Sequence, residues 1–312
     1  MSGVLNVLAA ITDSQWEAWH DPLTKAFSQA GLSVNLAREI APKHVDYILY
    51  TPTGWLKDFT PYVNARAVLS LWAGVERIID NESLTQPLTR MVDPGLREGM
   101  RDYVTGHVLR AHLGMDADIC RTDSLWQPHI PPLARNRRVA MLGLGELGAF
   151  CATALAVQGF SVLGWSNSAK DLPGITSFAG GEGLQKVLRQ AEIVVLLLPL
   201  TGKTENILNR ETLALLPKGA VVINPGRGAL IDDDALLVAL DKGQVGHATL
   251  DVFRTEPLPH DHPFWGHPQV TVTPHIASET RPETASLVVA ENIRRAEAGE
   301  ELLYLVDRSV GY

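Results

Sequence analysis

Met141-Leu142-Gly143-Leu144-Gly145-Glu146-Leu147-Gly148 is the stretch that decides the fold. It places G-x-G-x-x-G directly behind an apolar run, 138–142, and directly ahead of a segment with helical periodicity, 147–158. In that setting each glycine has a physical task. The first permits a tight turn, the second lets the backbone approach a pyrophosphate, and the third lets helix and strand pack closely. The helix start then offers N–H groups to an anion. The strand–turn–helix order predicts a dinucleotide site, although the glycine pattern alone also fits a structural turn or an S-adenosylmethionine site.

Outward from the turn, apolar runs at 160–165, 193–198, 220–224, 248–252 and 270–273 alternate with helical segments at 182–190, 210–216 and 233–242. Asp232-Asp233-Asp234 reads as an N-cap followed by acids in the first helical turn. With 138–142 this makes six strands, continuous in apolar character, as in a parallel sheet covered on both faces. Before the turn, apolar runs at 4–10, 45–50 and 67–71 enclose a helical segment at 15–30. A polar stretch, 80–102, leads to a helix at 103–113 with Val104, Val108 and Ala111 on one face. The last helical pattern, 283–298, ends at Gly299 and is expected to pack back on the N-terminal region. The fold class is therefore α/β with two domains: a doubly wound parallel-sheet domain, 103–278, inserted into a smaller discontinuous one, 1–102 with 279–312.

Composition narrows the function. A chain of 312 residues with 46% hydrophobic and 20% charged residues can build sizeable cores. Its net charge of -8 argues against a general binder of nucleic-acid backbones, which needs concentrated Lys and Arg. Cys120 and Cys151 form no CxxC or zinc spacing, so a reducing compartment is expected. The first residues lack a basic n-region and read as a buried strand rather than a signal peptide. The run 193–198 falls far short of the roughly 20 residues that span a bilayer. A cytoplasmic protein that binds neither membrane nor nucleic acid is expected.

The second strand bears on the coenzyme. An NAD site usually carries Asp or Glu about 20 residues beyond the glycine turn, accepting from the ribose 2′-OH. Here Gly164-Trp165-Ser166-Asn167-Ser168-Ala169-Lys170 has no carboxylate before Asp171. Ser166, Asn167 and Ser168 can donate to a 2′-phosphate and Lys170 adds a positive charge, so NADP(H) is expected over NAD(H); a solvated polar turn is the alternative.

Three further segments each put an ionisable residue just past a strand: Asn224-Pro225-Gly226-Arg227-Gly228, Asp251-Val252-Phe253-Arg254-Thr255-Glu256-Pro257 and Thr273-Pro274-His275-Ile276-Ala277. Ligands of open α/β sheets bind beyond the carboxyl ends of the strands, where the glycine turn also lies. Singly, each residue also reads as an ordinary loop residue.

Together these segments resemble the D-isomer-specific 2-hydroxyacid dehydrogenase family, in its glyoxylate/hydroxypyruvate reductase branch. The resemblance takes in Ala73-Gly74-Val75-Glu76, Leu198-Pro199-Leu200-Thr201 with Thr204, Val306-Asp307-Arg308 and Gly311-Tyr312. It implies a flavodoxin-like substrate domain and a homodimer built on the cofactor domain. By the same resemblance Arg227 grips the carboxylate and carbonyl of a 2-keto acid, for which a rigid guanidinium fork is suited. His275 becomes the general acid, and Glu256 holds its ring and favours the protonated form. The Ala73-Gly74 turn offers N–H groups to the substrate carboxylate, with Tyr50 and Arg281 near the pocket. Gly143, Gly145, Glu146, Leu147, Gly148, Leu198, Pro199, Thr204, Pro225, Gly226, Asp251, Ala277 and Ser278 fall to the cofactor.

Departures remain. Trp72 stands where related sequences often have a small residue; it either narrows the pocket towards two- or three-carbon substrates or belongs to the core. Asn167 occupies the place of an Arg common in NADP(H)-preferring reductases of the branch. His260, His262 and His267 lie in a Pro-rich loop without the framework of a metal site, and the family uses none. Cys151 reads as a packed residue, and Trp126, Trp265 and Tyr312 as packing or subunit contacts. The framework is shared with phosphoglycerate, D-lactate and formate dehydrogenases. A non-catalytic dinucleotide sensor, like the corepressors of this fold, is the rival from another class.

Overall fold

A computed structural model of the chain describes residues 3–309 and 311; Tyr312 lies outside the described residues. The chain divides into two compact units, Met1–Leu96 with Glu279–Tyr312, and Arg97–Ser278.

In the first unit, β1 (Leu5–Ala10), β2 (Val34–Ala37), β3 (Tyr47–Tyr50), β4 (Ala67–Ser70) and β5 (Leu88–Thr89) form one parallel sheet. Their order, β2-β1-β3-β4-β5, is that of flavodoxin-like folds. Alternation along the strands supplies two cores. Val7, Ala9, Leu49 and Leu69 face α1 (Asp13–Gln29) and the C-terminal α8 (Pro282–Glu297), whose Leu23, Phe27, Val289 and Ile293 are buried against them. Leu8, Ala10, Ile48 and Val68 pack with Phe59, Ile78 and Leu84 on the other face. The tail thus returns to the N-terminal sheet. The sheet has two strands more than the three apolar runs: β2 is a half-exposed edge and β5 has only two residues.

The helix expected at 103–113 begins at Pro94, inside the stretch read as polar: α2 runs Pro94–Leu113, and belongs to the second unit from Arg97 on. Its charged residues Arg97, Glu98, Arg101 and Asp102 mask a buried stripe at four-residue spacing, Leu96, Met100, Val104 and Val108. A short α3 (Met115–Ile119) follows. The sheet comprises β6 (Arg138–Leu142), β7 (Ser161–Ser166), β8 (Ile175–Ala179), β9 (Ile193–Leu196), β10 (Ala220–Asn224), β11 (Val245–Leu250) and β12 (Val270–Val272), all parallel.

Seven strands replace the expected six, because β8 is a partly exposed edge whose weak pattern escaped the reading. Also, β11 starts at Val245 and ends at Leu250 instead of spanning 248–252; Gly246 and His247 interrupt its apolar run. Val139, Met141, Ile193 and Val195 pack on α2 and on α4 (Glu146–Val157). Ala140, Leu142, Val194 and Val222 pack on α5 (Gly180–Leu188), α6 (Arg210–Leu213) and α7 (Asp233–Asp241). Asp232 caps α7, its side chain accepting from the Ala235 N–H at 3.0 Å. The order β12-β11-β10-β9-β6-β7-β8 makes β6 the switch point, so the glycine turn leaves the sheet where such folds bind their ligands.

Candidate active site

The glycine turn has the stereochemistry of a phosphate cradle. Gly143 has φ +108°, and a Cβ there would lie 2.3 Å from the Leu197 carbonyl oxygen; one on Gly148 would lie 1.9 Å from the carbonyl oxygen of Gly143. A Cβ on Gly145 would meet nothing within 4 Å, so this glycine leaves an open face above the helix start. Gly145 is the N-cap of α4 and provides no side-chain cap, whereas α1, α6 and α7 are each capped by a side chain. A helix start left in this way suits an anion. These features fit the pyrophosphate of a dinucleotide. Glu146 is the first residue of α4 and comes within 4.0 Å of Arg97, while Leu147 is half-buried.

At the end of β7, Ser166 is buried and its hydroxyl donates to the Ser168 carbonyl at 2.7 Å, shaping the turn. Asn167, Ser168 and Lys170 are exposed. Ser166 has thus committed its one proton within the turn and, against expectation, has none for a 2′-phosphate; with no carboxylate before Asp171, the exposed Asn167, Ser168 and Lys170 are the residues that fit that group. Past β9, Thr204 folds the segment of Leu198 and Pro199: its hydroxyl donates to the Pro199 carbonyl at 2.7 Å and accepts from the Thr201 N–H at 2.8 Å.

Arg227 is placed by an Asx turn at the end of β10. The buried Asn224 accepts from the Gly226 N–H at 3.1 Å and donates to the Arg227 carbonyl at 2.9 Å. Pro225 and Gly226 are buried within this turn, and Arg227 Nη1 donates to the Gly226 carbonyl at 2.7 Å. The loop carrying Glu256 lies directly against it. A Cβ on Gly228 would sit 2.0 Å from the Phe253 carbonyl carbon, so only glycine permits this approach.

Glu256 and His275 are paired. Glu256 Oε1 accepts from the Phe253 N–H at 2.9 Å, closing its own loop, and Oε2 lies 2.7 Å from His275 Nδ1. With Nδ1 engaged by the carboxylate, Nε2 is the nitrogen left to exchange a proton with a substrate. The imidazole side chain is 52% exposed, which leaves it accessible to a ligand.

The His275 loop wraps an anion that the protein itself supplies. His275 has φ +55°, a left-handed conformation uncommon outside glycine. Its N–H points at the Asp251 carbonyl, 2.8 Å away. The next two N–H groups, of Ile276 and Ala277, reach Oδ1 and Oδ2 of Asp251 at 2.9 Å each. Asp251 is fully buried. Such successive N–H groups form a nest that favours negative charge. Thr273 adds a hydroxyl bond to Oδ1 at 2.6 Å and lies 2.8 Å from the Tyr103 hydroxyl on α2. Thr273 has one proton and gives it to a group that only accepts, so Tyr103 donates to Thr273. Burial raises the Tyr103 hydroxyl well above its ordinary value, which keeps that proton in place. Ala277 is buried in the core beside α4, and Ser278 is half-buried.

The remaining expected residues are in the first unit. Trp72 is half-buried and packs on its core. Ala73 and Gly74 form a half-buried bend. Tyr50 is buried against Phe59, and Arg281 is the exposed N-cap residue of α8. Sequence reasoning assigned no role to Asn224, Tyr103, Thr273 or Arg254. An Asn two residues before glycine signals an Asx turn and could have identified the first; the others depend on partners distant in sequence.

The histidines of the Pro-rich loop build that loop: His262 Nδ1 accepts from the Phe264 N–H at 3.3 Å, and His267 Nδ1 from Gln269 at 3.2 Å. Among the described residues no three His, Cys, Asp or Glu side chains group as metal ligands. Cys151 is buried in the core beside α4, where burial pushes its thiol up to about 12, the state of an inert packed residue.

A glycine cradle at the switch point, together with a His–carboxylate pair and an Arg on neighbouring strand ends, defines a dinucleotide-linked oxidoreductase. Residues 108–277 match the D-isomer specific 2-hydroxyacid dehydrogenase NAD-binding domain, and the chain belongs to that family. It is 42% identical over 258 residues to glyoxylate/hydroxypyruvate reductase A of Yersinia enterocolitica, covering 80% of this chain and 82% of that protein. A D-isomer specific 2-hydroxyacid dehydrogenase from Xanthobacter autotrophicus, solved with NADPH and MES, superposes with a TM-score of 0.91 at 40% identity over 100% of both chains. An NADPH-dependent glyoxylate/hydroxypyruvate reductase from Sinorhizobium meliloti, solved with NADP and sulfate, gives 0.84 at 30% identity, again over 100% of both. The resemblance drawn from the motifs is thus met by family and branch alike.

Proposed function

We propose that this enzyme reduces small 2-keto acids with NADPH, glyoxylate to glycolate and hydroxypyruvate to D-glycerate. The observation that carries the proposal is the His275–Glu256 pair at 2.7 Å, next to the loop of Arg227 and on the sheet edge of the glycine cradle. Relatives named for this activity, and neighbours solved with NADP or NADPH, support the coenzyme and substrate class.

Held by the glycine cradle of Gly143, Gly145 and Gly148, the coenzyme would supply a hydride to C2 of the keto acid. Arg227 holds the carboxylate and polarises the carbonyl, which prepares C2 for attack. As charge develops on the carbonyl oxygen, His275 Nε2 gives it a proton, and the resulting 2-hydroxy acid balances the loss of one hydride and one proton. Glu256 fixes the ring through its bond to Nδ1. The unit Met1–Leu96 with Glu279–Tyr312 takes the substrate-binding role in this reading, through Ala73, Gly74 and the exposed Arg281; Tyr50, buried against Phe59, and Trp72, packed on the core, belong to the support of that unit. The second unit holds the dinucleotide.

The protein works as a cytoplasmic homodimer in this reading. Ile119, Leu125, Trp126, Ile130 and Leu133, between 53% and 97% exposed, make an apolar segment suited to a second copy. Both cysteines are free thiols, consistent with a reducing compartment. No helix among the described residues is long and apolar enough to cross a membrane.

Initial rates with glyoxylate, hydroxypyruvate, pyruvate and phenylpyruvate, each with NADPH and NADH, test the proposal. The expected result is fastest turnover of the first two with NADPH. Turnover of none refutes the activity, and a clear NADH preference refutes the coenzyme assignment.

A further inference from the structure

The loop that carries Glu256 is largely exposed, and its position is what aims the carboxylate at His275. Thr255, Glu256 and Pro257 are all exposed, so apolar packing holds this segment only weakly. Arg254 reaches out of it to a strut that is not part of the loop. Its Nη2 donates to Asn206 Oδ1 and, at 2.6 Å, to the Ile231 carbonyl. Glu205 lies 3.6 Å from Nη1, and Asp233 3.8 Å from Nε.

Asn206 and its neighbours are in turn bonded to the segment that follows Arg227. The Asn206 N–H donates to the Ala229 carbonyl at 2.9 Å, Leu208 N–H to Leu230 at 3.1 Å, and Asp232 N–H to Leu208 at 2.9 Å. Asn206 takes φ +53°, a left-handed conformation that Asn adopts more readily than most residues. One guanidinium therefore connects the loop of Glu256 to the loop of Arg227.

We propose that Arg254 is a positioning residue for the proton donor, locking the Glu256 loop onto the Arg227 loop through Asn206. The proposal rests on the reading of Glu256 as the partner of the general acid. Arg254 touches no reacting atom. Its donors fix the loop whose turn Glu256 closes through the Phe253 N–H, and so fix Oε2 against His275 Nδ1. A guanidinium suits the task because several donors spread over a fixed plane can meet an amide oxygen, a carbonyl and two carboxylates together.

The test is a double-mutant cycle in the full-length enzyme, with turnover of glyoxylate and NADPH affinity both measured. Loss of a charge-assisted bond predicts that Arg254→Met lowers kcat about tenfold or more, with NADPH affinity and the KM for glyoxylate nearly unchanged. Asn206→Gly, which keeps the left-handed backbone and deletes only the side-chain acceptor, should lower kcat in the same direction. Arg254→Lys should recover part of the loss, and added guanidinium should recover part of it in Arg254→Met. In a Glu256→Gln background, Arg254→Met should cost less than about twofold more, because coupled residues are not additive.

An equal loss in both backgrounds, or no loss in the wild-type background, overturns the proposal while leaving Glu256 in its role. A Glu256→Gln variant of undiminished kcat refutes that role instead. If Arg254→Met does not fold, Asn206→Gly in the two backgrounds decides by the same criterion.

Discussion

Gly228 and Phe253 are in backbone contact: a Cβ on the glycine would lie 2.0 Å from the Phe253 carbonyl carbon. Through this approach the loop of Arg227 rests on the loop of Glu256, and two groups of the proposed site share one support. Gly228→Ala must move one loop off the other. Overpacking of this kind costs about 1–3 kcal/mol, so a lower denaturation midpoint is expected together with a drop in turnover larger than the change in NADPH affinity. Unchanged stability and turnover would show that the loops are free to separate.

Asp251 links the buried interior of the second unit to the loop of His275, the proposed proton donor. Asp251→Asn puts an NH2 group where three donors converge, Thr273 and Ile276 on one oxygen and Ala277 on the other. It also removes the charge that favours the nest. The expected outcome is a loss of kcat on the order of a hundredfold, estimated from about 3 kcal/mol for a charged partner left unmatched. Thr273→Val should lose less, and Tyr103→Phe less again, since each removes a bond one step further from His275. Steady-state kinetics of the three variants measure the gradient; a larger loss for Tyr103→Phe than for Asp251→Asn would contradict it.

The pH dependence of stability has a defined sign. His107 and His247 are both held below their ordinary 6.5, in each case chiefly by burial; Arg110 lowers both further, and Asp116 opposes it, joined at His107 by Asp251. In the unfolded chain these groups take up protons near 6.5, whereas the native protein resists doing so. The unfolded state then binds more protons, and stability falls as pH drops below about 6.5 towards the lower folded values. Above that window their contribution is constant. Thermal melts from about pH 7.5 to 5 should show a falling midpoint, and a His107→Phe, His247→Phe double variant should flatten the curve. A double variant with the wild-type slope would exclude these histidines as its cause.

The coenzyme turn permits a gain-of-function test. Asn167 is exposed beside Ser166 and Ser168 at the end of β7. Asn167→Arg adds a guanidinium where a 2′-phosphate is expected, and a charge-assisted contact predicts an NADPH-over-NADH preference raised about tenfold. Ratios of kcat/KM for the two coenzymes measure it. A ratio that does not rise would mean that the 2′-phosphate lies elsewhere.

Much of this architecture was legible in the sequence, and the failures share a cause. The limits of β6 (Arg138–Leu142) and β10 (Ala220–Asn224) could be read directly, because each is a mostly buried apolar run bounded by turn residues. The edge strand β8 was invisible, since Ile175-Thr176-Ser177-Phe178-Ala179 is half-exposed and mixes polar with apolar residues. The first turns of α2 were hidden by Gly95, Gly99 and the charges beside them. Among the residues of the proposed site, Arg227, Glu256 and His275 stand out in the sequence because each follows a strand end. The groups that hold them could not. Tyr103 stands 170 residues from Thr273 and Arg254 stands 48 from Asn206, contacts that no local pattern encodes.

The assignment of His275 as proton donor is tested most directly by His275→Ala, with glyoxylate turnover and NADPH affinity measured on the same preparation. A general acid contributes about 10²–10⁴-fold, so kcat should fall by at least that lower figure while the NADPH dissociation constant stays within about twofold. Turnover near the wild-type rate, or parallel loss of turnover and coenzyme binding, would contradict the account.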